Sequence, residues 1–467
     1  AVTNYYVKGQ TGSENEYILE ELGKVSGVET SVSQGTVKYK GKTYDISEII
    51  GNTNEQKAIE KEKGLTQITA ATATDIGDKA ILSETDSDKN AKVRMIIVEE
   101  TTNGGKVKAV IPSGFYYVTG KPSTGLVISD KFDDDDNNSK GGNQFVWVPC
   151  NGGKATYQLH TYATAKENDY DSAKDDTGNG GWRTYRYRNY SDWKDDGGET
   201  VNGQSVSSVK ANSVEKYGGF YVGRFEAGEP TTASFYNDKD GSTYWQSATG
   251  DDNYSKTYRS KDETKDENSK NLLPVSKKNT PSWNYISQTK SKTVSENMYG
   301  ESKTIKSYLI DGTAWDTTIQ WISNSTGRSL TEGCKDWGNY WDSSYTLKGL
   351  YAKHNYNKGW FPALVYKNGL YTKGSEYTEV ATGATVEGNP TRNTACNIYD
   401  IAGNMWEWTT ETGKYDSMAE NATTYAVRRG GSFDSGTFDY SVSSRTGFYS
   451  ADDCSVNIGF RVVLYLQ

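Results

Sequence analysis

Asn397-Ile398-Tyr399-Asp400-Ile401-Ala402-Gly403-Asn404-Met405-Trp406-Glu407-Trp408 gathers three large apolar side chains, Met405, Trp406 and Trp408, around a single charge, Glu407. A buried aromatic contributes a few kcal/mol to folding, so a cluster of this kind belongs inside. Gly403 and Asn404 suit a tight turn with positive φ. Glu407 lies between two tryptophans. A lone buried carboxylate is costly, so it needs a partner, and Arg445 and Arg461 are the candidates. Taken by itself, the stretch reads as a structural corner of a fold.

Upstream stand Phe145-Val146-Trp147-Val148-Pro149, Gly219-Phe220-Tyr221-Val222-Gly223-Arg224-Phe225-Glu226, Thr280-Pro281-Ser282-Trp283 ahead of a helix-like stretch, and Leu309 to Trp321. Downstream stand Arg429-Gly430-Gly431-Ser432 and Asn457-Ile458-Gly459-Phe460-Arg461-Val462. In this order, over about residues 112–467, the segments resemble the formylglycine-generating enzyme (sulfatase-modifying factor) family. The resemblance implies a variant of the C-type lectin fold, hence an α+β domain. In it Trp406, Trp408, Arg445, Gly459, Phe460 and Arg461 are scaffold. It also implies a calcium site at Asn404.

The family's activity is an oxygen-dependent oxidation of a substrate cysteine at copper, and it needs two cysteines ahead of the final strand. Thiolates are soft ligands that suit Cu(I). The matching positions here are Thr437 and Val442, which supply no thiolate, and Cys454 lies on the far side of Arg445. The enzyme reading fails at this point. His160 and His354 sit far apart in polar stretches and read as surface residues. There is no G-x-S-x-G elbow and no phosphate-binding loop.

Ser432 to Val456 contains no Lys, Glu, Gln, Met or Trp. Its residues are those produced by randomising an Asn codon at its adenines. In this it resembles the variable region of proteins diversified by diversity-generating retroelements, which use the same fold. A loop that merely prefers small polar and aromatic residues is the alternative. Either way the mixture is that of a paratope: aromatic area at low entropy cost beside adaptable hydrogen-bonding groups. The expected ligand-binding residues are Phe433, Asp434, Ser435, Thr437, Phe438, Asp439, Tyr440, Phe448, Tyr449, Ser450, Asp452 and Asp453.

Composition narrows the classes. Only 34% of the 467 residues are hydrophobic, low for a compact cytosolic enzyme, yet 12% are aromatic, with 35 Tyr and 12 Trp. Chains that are disordered throughout are poor in aromatics. With 48 Gly and 8 Pro, many short strands and turns are expected. A net charge of −9 argues against nucleic acid as a partner. No apolar run reaches the ~18 residues of a membrane span. Cys150, Cys334, Cys396 and Cys454 lack C-x-x-C spacing, which speaks against zinc and leaves one or two disulfides open. The acidic run Asp133 to Asp136 lacks the spaced D-x-D-x-D-G pattern of a calcium loop and reads as solvated.

Residues 1–111 are expected to form a small helix-and-hairpin module that connects to an anchor or fibre. Ser13 and Glu16 form a capping box ahead of a short helix. Thr36 to Tyr39 and Thr43 to Ile46 form one hairpin, residues 54–63 a charged helix or linker, and Val93 to Val98 with Val107 to Ile111 a second hairpin. The domain at 112–467 carries long polar insertions near 151–215 and 231–275. The start, Ala1-Val2-Thr3, reads as processed or truncated, and any signal or membrane anchor would have preceded it.

The combined reading is a non-catalytic, extracellular or surface-displayed ligand-binding or adhesion protein of bacterial or phage origin. It needs no cofactor beyond the calcium just named. Its partner would be a protein or glycan on a cell or host surface, with self-assembly through the first 111 residues as a further option. The rivals are a copper oxidase with a relocated metal site, a pilin-like filament subunit and a phage receptor-binding protein.

Overall fold

Phe145-Val146-Trp147-Val148 and Phe220-Tyr221-Val222 are unbroken apolar runs, the pattern of strands covered on both faces. In the computed structural model they lie side by side at the centre of the fold. The structure describes residues 96–131, 134–159, 191–196, 204–228, 273–343 except 281 and 285, 393–414, 424–437, 440–455 and 457–467, with short strands elsewhere. The elements used below are β1 (Ile96–Thr102), β2 (Gly105–Ile111), β3 (Tyr116–Thr119), β4 (Val127–Ser129), β5 (Gln144–Pro149), β6 (Ser191–Lys194) and α1 (Val206–Tyr217). They continue with β7 (Gly219–Gly223), α2 (Gln288–Met298), β8 (Ile305–Leu309), α3 (Gly312–Thr326), β9 (Trp406–Lys414), β10 (Thr424–Arg429), β11 (Arg445–Tyr449), β12 (Ile458–Phe460) and β13 (Val462–Leu466). The architecture is α+β, rich in sheet.

One sheet has six strands in the order β8-β13-β7-β5-β4-β3. A second runs β6-β9-β10-β11, with β12 parallel to β9 in the register Trp406↔Ile458 to Trp408↔Phe460. Residues 458–466 therefore stitch the two sheets together, because β12 pairs in one and β13 in the other. The core is made where the sheets meet, from Phe145, Trp147, Trp283, Trp406, Trp408 and Phe460. The hairpin β1–β2 packs into that same core through Ile97, Val98, Val110 and Ile111. Tyr221 ties the two together by donating its hydroxyl to the Val110 carbonyl at 2.8 Å. Packing thus runs across the expected boundary at residues 111–112.

Helix α3 starts on Asp311, whose carboxylate accepts from the Ala314 N–H at 2.7 Å, and ends on Gly327 with φ 71°. Both match the preferred cap chemistry. Helix α2 starts on Ser287 in the same manner. Helix α1 is a correction, since residues 151–215 show no helical period in sequence. Its inner face carries Lys210 and Ser213 beside Val214 and Tyr217. Lys210 is buried against Asp196 at 2.7 Å and Asp311 at 3.1 Å. Ser213 donates to the Leu466 carbonyl. Ion pairs and hydrogen bonds replace the apolar stripe that periodicity would detect.

The hairpin expected near residue 40 is present as Thr36–Tyr39 paired with Lys42–Asp45. The capping box at Ser13 and the charged helix at 54–63 lie outside the described residues. None of the four cysteines forms a disulfide. The described part of the acidic run, Asp134 to Asp136, is not simply solvated. Asp134 accepts from the side chains of Ser129, Asn138 and Gln144 and from the backbone N–H groups of Lys140 and Gly142. Asp136 pairs with the buried guanidinium of Arg224 at 2.6 Å. No described helix is long and apolar enough to cross a membrane.

Charge is buried under the second sheet. Arg461 grips Glu407 at 2.6 Å, which settles the partner of that carboxylate. Arg429 pairs with Asp316 and with Glu411 at 3.2 Å, while Arg445 pairs with the same two acids at 3.0 and 2.6 Å. Burial alone would raise the Glu411 carboxyl, but Arg445 and Arg429 overcome it and hold it down at about 2, against an ordinary 4.5. A depressed folded-state value gives stability that is complete above the ordinary value and lost as pH falls towards about 2. Across that interval the contribution is ~3 kcal/mol. Glu411→Gln is expected to lose about 3–5 kcal/mol at pH 7, because two guanidiniums lose a buried partner. Its stability should then fall less steeply than wild type between pH 4.5 and 2, as read by denaturant melts across pH.

Candidate ligand-binding face

Gly403 and Asn404 hold φ of 74° and 62°, the turn expected from their types. A Cβ on Gly403 would collide with the Asn339 backbone. This contact brings the 339–343 loop against the corner, and the segment after Ser432 folds onto both. The Phe433 N–H donates to the Asn404 carbonyl at 2.8 Å, and the Trp341 N–H to the Ser435 carbonyl at 3.1 Å. The Thr437 hydroxyl donates to Asp342 at 2.7 Å. Asp434 accepts from Ser432 and from the Asn457 amide at 3.0 and 3.1 Å.

The expected binding residues therefore divide. Phe433 is 2% exposed and belongs to the interior, and Ser435 and Thr437 are also buried. These three are corrected from ligand contacts to support: an aromatic next to an Asn-Trp corner is drawn inward, and the two hydroxyls are spent on neighbours. Tyr440 is half-buried, its ring 5.2 Å from that of Trp406, and Tyr449 lies 6.3 Å from Trp408. Asp434, Ser450 and Asp453 are partly exposed and Asp452 exposed. Asp453 accepts from the Ser450 N–H at 2.9 Å, and Asp452 from the Thr289 hydroxyl at 2.9 Å. Phe438 and Asp439 lie outside the described residues, as does the side chain of Phe448 in β11.

Two residues were missed in the sequence. Trp341 is 42% exposed beside this segment, and Gly436 is seated so closely against its indole that a Cβ would strike it. Asp342 anchors Thr437. The pair Trp341-Asp342 in a polar stretch was the available signal, but it stands about a hundred residues away along the chain.

The scaffold residues lie inside: Trp406, Trp408, Phe460 and Arg461 are at most 1% exposed, and Arg445 is buried on its carboxylates. Gly459 leaves little room, with the Trp283 carbonyl 3.3 Å from where a Cβ would stand. Asn404 is fully buried with both amide ends engaged. Its Oδ1 accepts from Asn339 at 2.9 Å and its Nδ2 donates to Glu226 at 2.7 Å, so an ion there would have to displace Asn339. Among the described residues no group of three or more His, Cys, Asp or Glu is arranged to hold a metal.

The copper chemistry implied by the resemblance does not fit these residues. The Thr437 hydroxyl is bonded to Asp342, and Val442 is fully buried with its carbonyl accepting from the Trp315 indole at 3.1 Å. Cys334 shares the apolar cluster of Val442 and Tyr340, and burial pushes its thiol up to about 12. That is the reverse of what a thiolate ligand requires. His160 lies outside the described residues, as does the side chain of His354.

No curated protein matches the chain. Among solved structures, the one titled "Crystal Structure of CarF" aligns with 53% of this chain and 87% of its own, at 10% identity and a TM-score of 0.26. Residues 320–466, which contain the end of α3, the corner, the face and the closing strands, match the family described as the Sulfatase-modifying factor enzyme 1-like domain.

Proposed function

We propose that the chain is a non-catalytic ligand-binding or adhesion protein, displayed outside the cell on a C-type-lectin-like scaffold of the formylglycine-generating-enzyme type. The observation that carries the reading is Trp341. It is a large aromatic left 42% exposed on a backbone pinned to Ser435, next in the chain to the partly exposed Asp434. An exposed aromatic on a rigid frame with polar neighbours is the usual make-up of a recognition surface. The composition of residues 432–456 supports diversification by a retroelement. A nearby reverse transcriptase gene with a near-copy of these codons, differing only at adenines, would bear that out; identical codons would not. The first 111 residues would link the domain to an anchor or fibre.

The oxidase reading is disfavoured by Thr437 and Val442. Purified protein loaded with copper and given oxygen and a sulfatase-motif cysteine peptide is expected to yield no aldehyde by mass spectrometry. Turnover above a protein-free control would overturn the non-catalytic reading.

Trp341→Ala should melt within about 0.5 kcal/mol of wild type, as exposed substitutions do. It should lose binding to glycan- or protein-array ligands by ~10-fold or more. Phe433→Ser, by contrast, should cost about 3 kcal/mol or more in the same melts. Equal melting of the two variants, or undiminished array binding by Trp341→Ala, would contradict the assignment of face and support.

A further inference from the structure

Arg428 on β10 differs from its neighbours. Arg429, Arg445 and Arg461 each hold carboxylates, whereas Arg428 forms no ion pair with any described residue. It is only 8% exposed, and its Nε and Nη1 are buried without a hydrogen-bond partner. The guanidinium is sandwiched instead, 4.6 Å from the Trp406 ring centre and 4.9 Å from that of Tyr449. Burial pushes it below the ordinary arginine range, with Tyr449, Tyr440 and Asp434 opposing. Asp434 is spent on Ser432 and Asn457. Beside it, Asn457 Oδ1 is also buried without a donor, while the Asn457 carbonyl accepts from the Trp406 N–H at 2.8 Å.

Two aromatic walls offset part of the cost of burying a cation. Nε–H and Nη1–H have no acceptor, and an unmade hydrogen bond in a buried site is costly. A carboxylate can meet Nε together with Nη2, or Nη1 together with Nη2, each pair lying on one edge of the guanidinium and giving two parallel bonds. Tyr449, one of the two walls, and Tyr440, edge-on to the other wall Trp406, are the half-buried aromatics of the proposed face. Asn457 Oδ1 adds an acceptor that a hydroxyl would satisfy.

We propose that Arg428 is the anchor of an anion subsite in this face, taking the carboxylate of a ligand that carries hydroxyl groups beside it, as a uronic acid does. Arg428, held between Trp406 and Tyr449, donates to the carboxylate, and Asn457 Oδ1 accepts from a ligand hydroxyl. The inference deepens the ligand-binding reading and rests on it.

The test uses the full chain with glucuronate, acetate and glucose as probes, read by the arginine side-chain ¹⁵Nε signal of Arg428 and by calorimetry. The Arg428 signal, assigned by its loss in Arg428→Gln, is expected to shift with glucuronate and, more weakly, with acetate, but not with glucose. Glucuronate affinity should fall ~10–100-fold in Arg428→Gln, the loss of charge-assisted hydrogen bonds. The wild-type shift stands even if that variant is poorly folded, because Arg428→Lys then serves for assignment. No shift with either carboxylate, or the same shift with glucose, would overturn the subsite. Array hits that are neutral, lost in Trp341→Ala and kept in Arg428→Gln would overturn it while leaving the face intact. A silent array with a glucuronate shift at Arg428 would do the opposite.

Discussion

Two arginines and two acids buried beneath the second sheet set the position of most of what matters here. Arg429 leaves β10, Arg445 opens β11, Asp316 comes from α3 and Glu411 from β9. Three successive strands and a helix far from them along the chain are thereby fixed at one point. Such a cluster adds little net stability over an apolar one of equal volume, but removing any member strands a charge. It constrains geometry: the chain between Arg429 and Arg445 must leave and re-enter at fixed positions, whatever residues lie between.

The segment between them consequently behaves as part of the body. Ser443 donates to the Leu330 carbonyl, Arg429 Nε reaches the Ser444 carbonyl at 3.0 Å, and Ser441, Val442 and Thr446 are fully buried. Among the described residues, the outer edge from Asp434 and Trp341 round to Asp452 meets solvent. On the proposed reading, contact residues on the rim of a clamped loop can vary without loss of the fold. The same clamping sets Val442 in the apolar cluster of Cys334 and Tyr340.

The central strands, the corner turn and the need of Glu407 for an arginine were legible in the sequence, each from a local pattern: an apolar run, a Gly-Asn pair, a carboxylate among tryptophans. Helices α2 and α3 were expected from the resemblance, and their caps at Ser287 and Asp311 were not read. Helix α1 was not legible, since its inner face is lined by Lys210 and Ser213, whose partners Asp196, Asp311 and Leu466 are distant along the chain. The binding residues were legible only in part. Composition marked the segment from Ser432 to Val456, but composition does not say which side chains turn inward. Phe433 and Thr437 turn in because Asn404 and Asp342 await them, and Trp341 joins from another loop. The orphaned Arg428 is visible only once its three paired neighbours are in place.

Amide hydrogen exchange on the intact chain tests this account most directly. If the segment is clamped, the amides of Phe433, Ser443 and Thr446 exchange orders of magnitude more slowly than an unfolded chain, with protection approaching that of the central strands, while Asp452 exchanges fast. Exchange at unfolded-chain rates throughout residues 432–446 would contradict it.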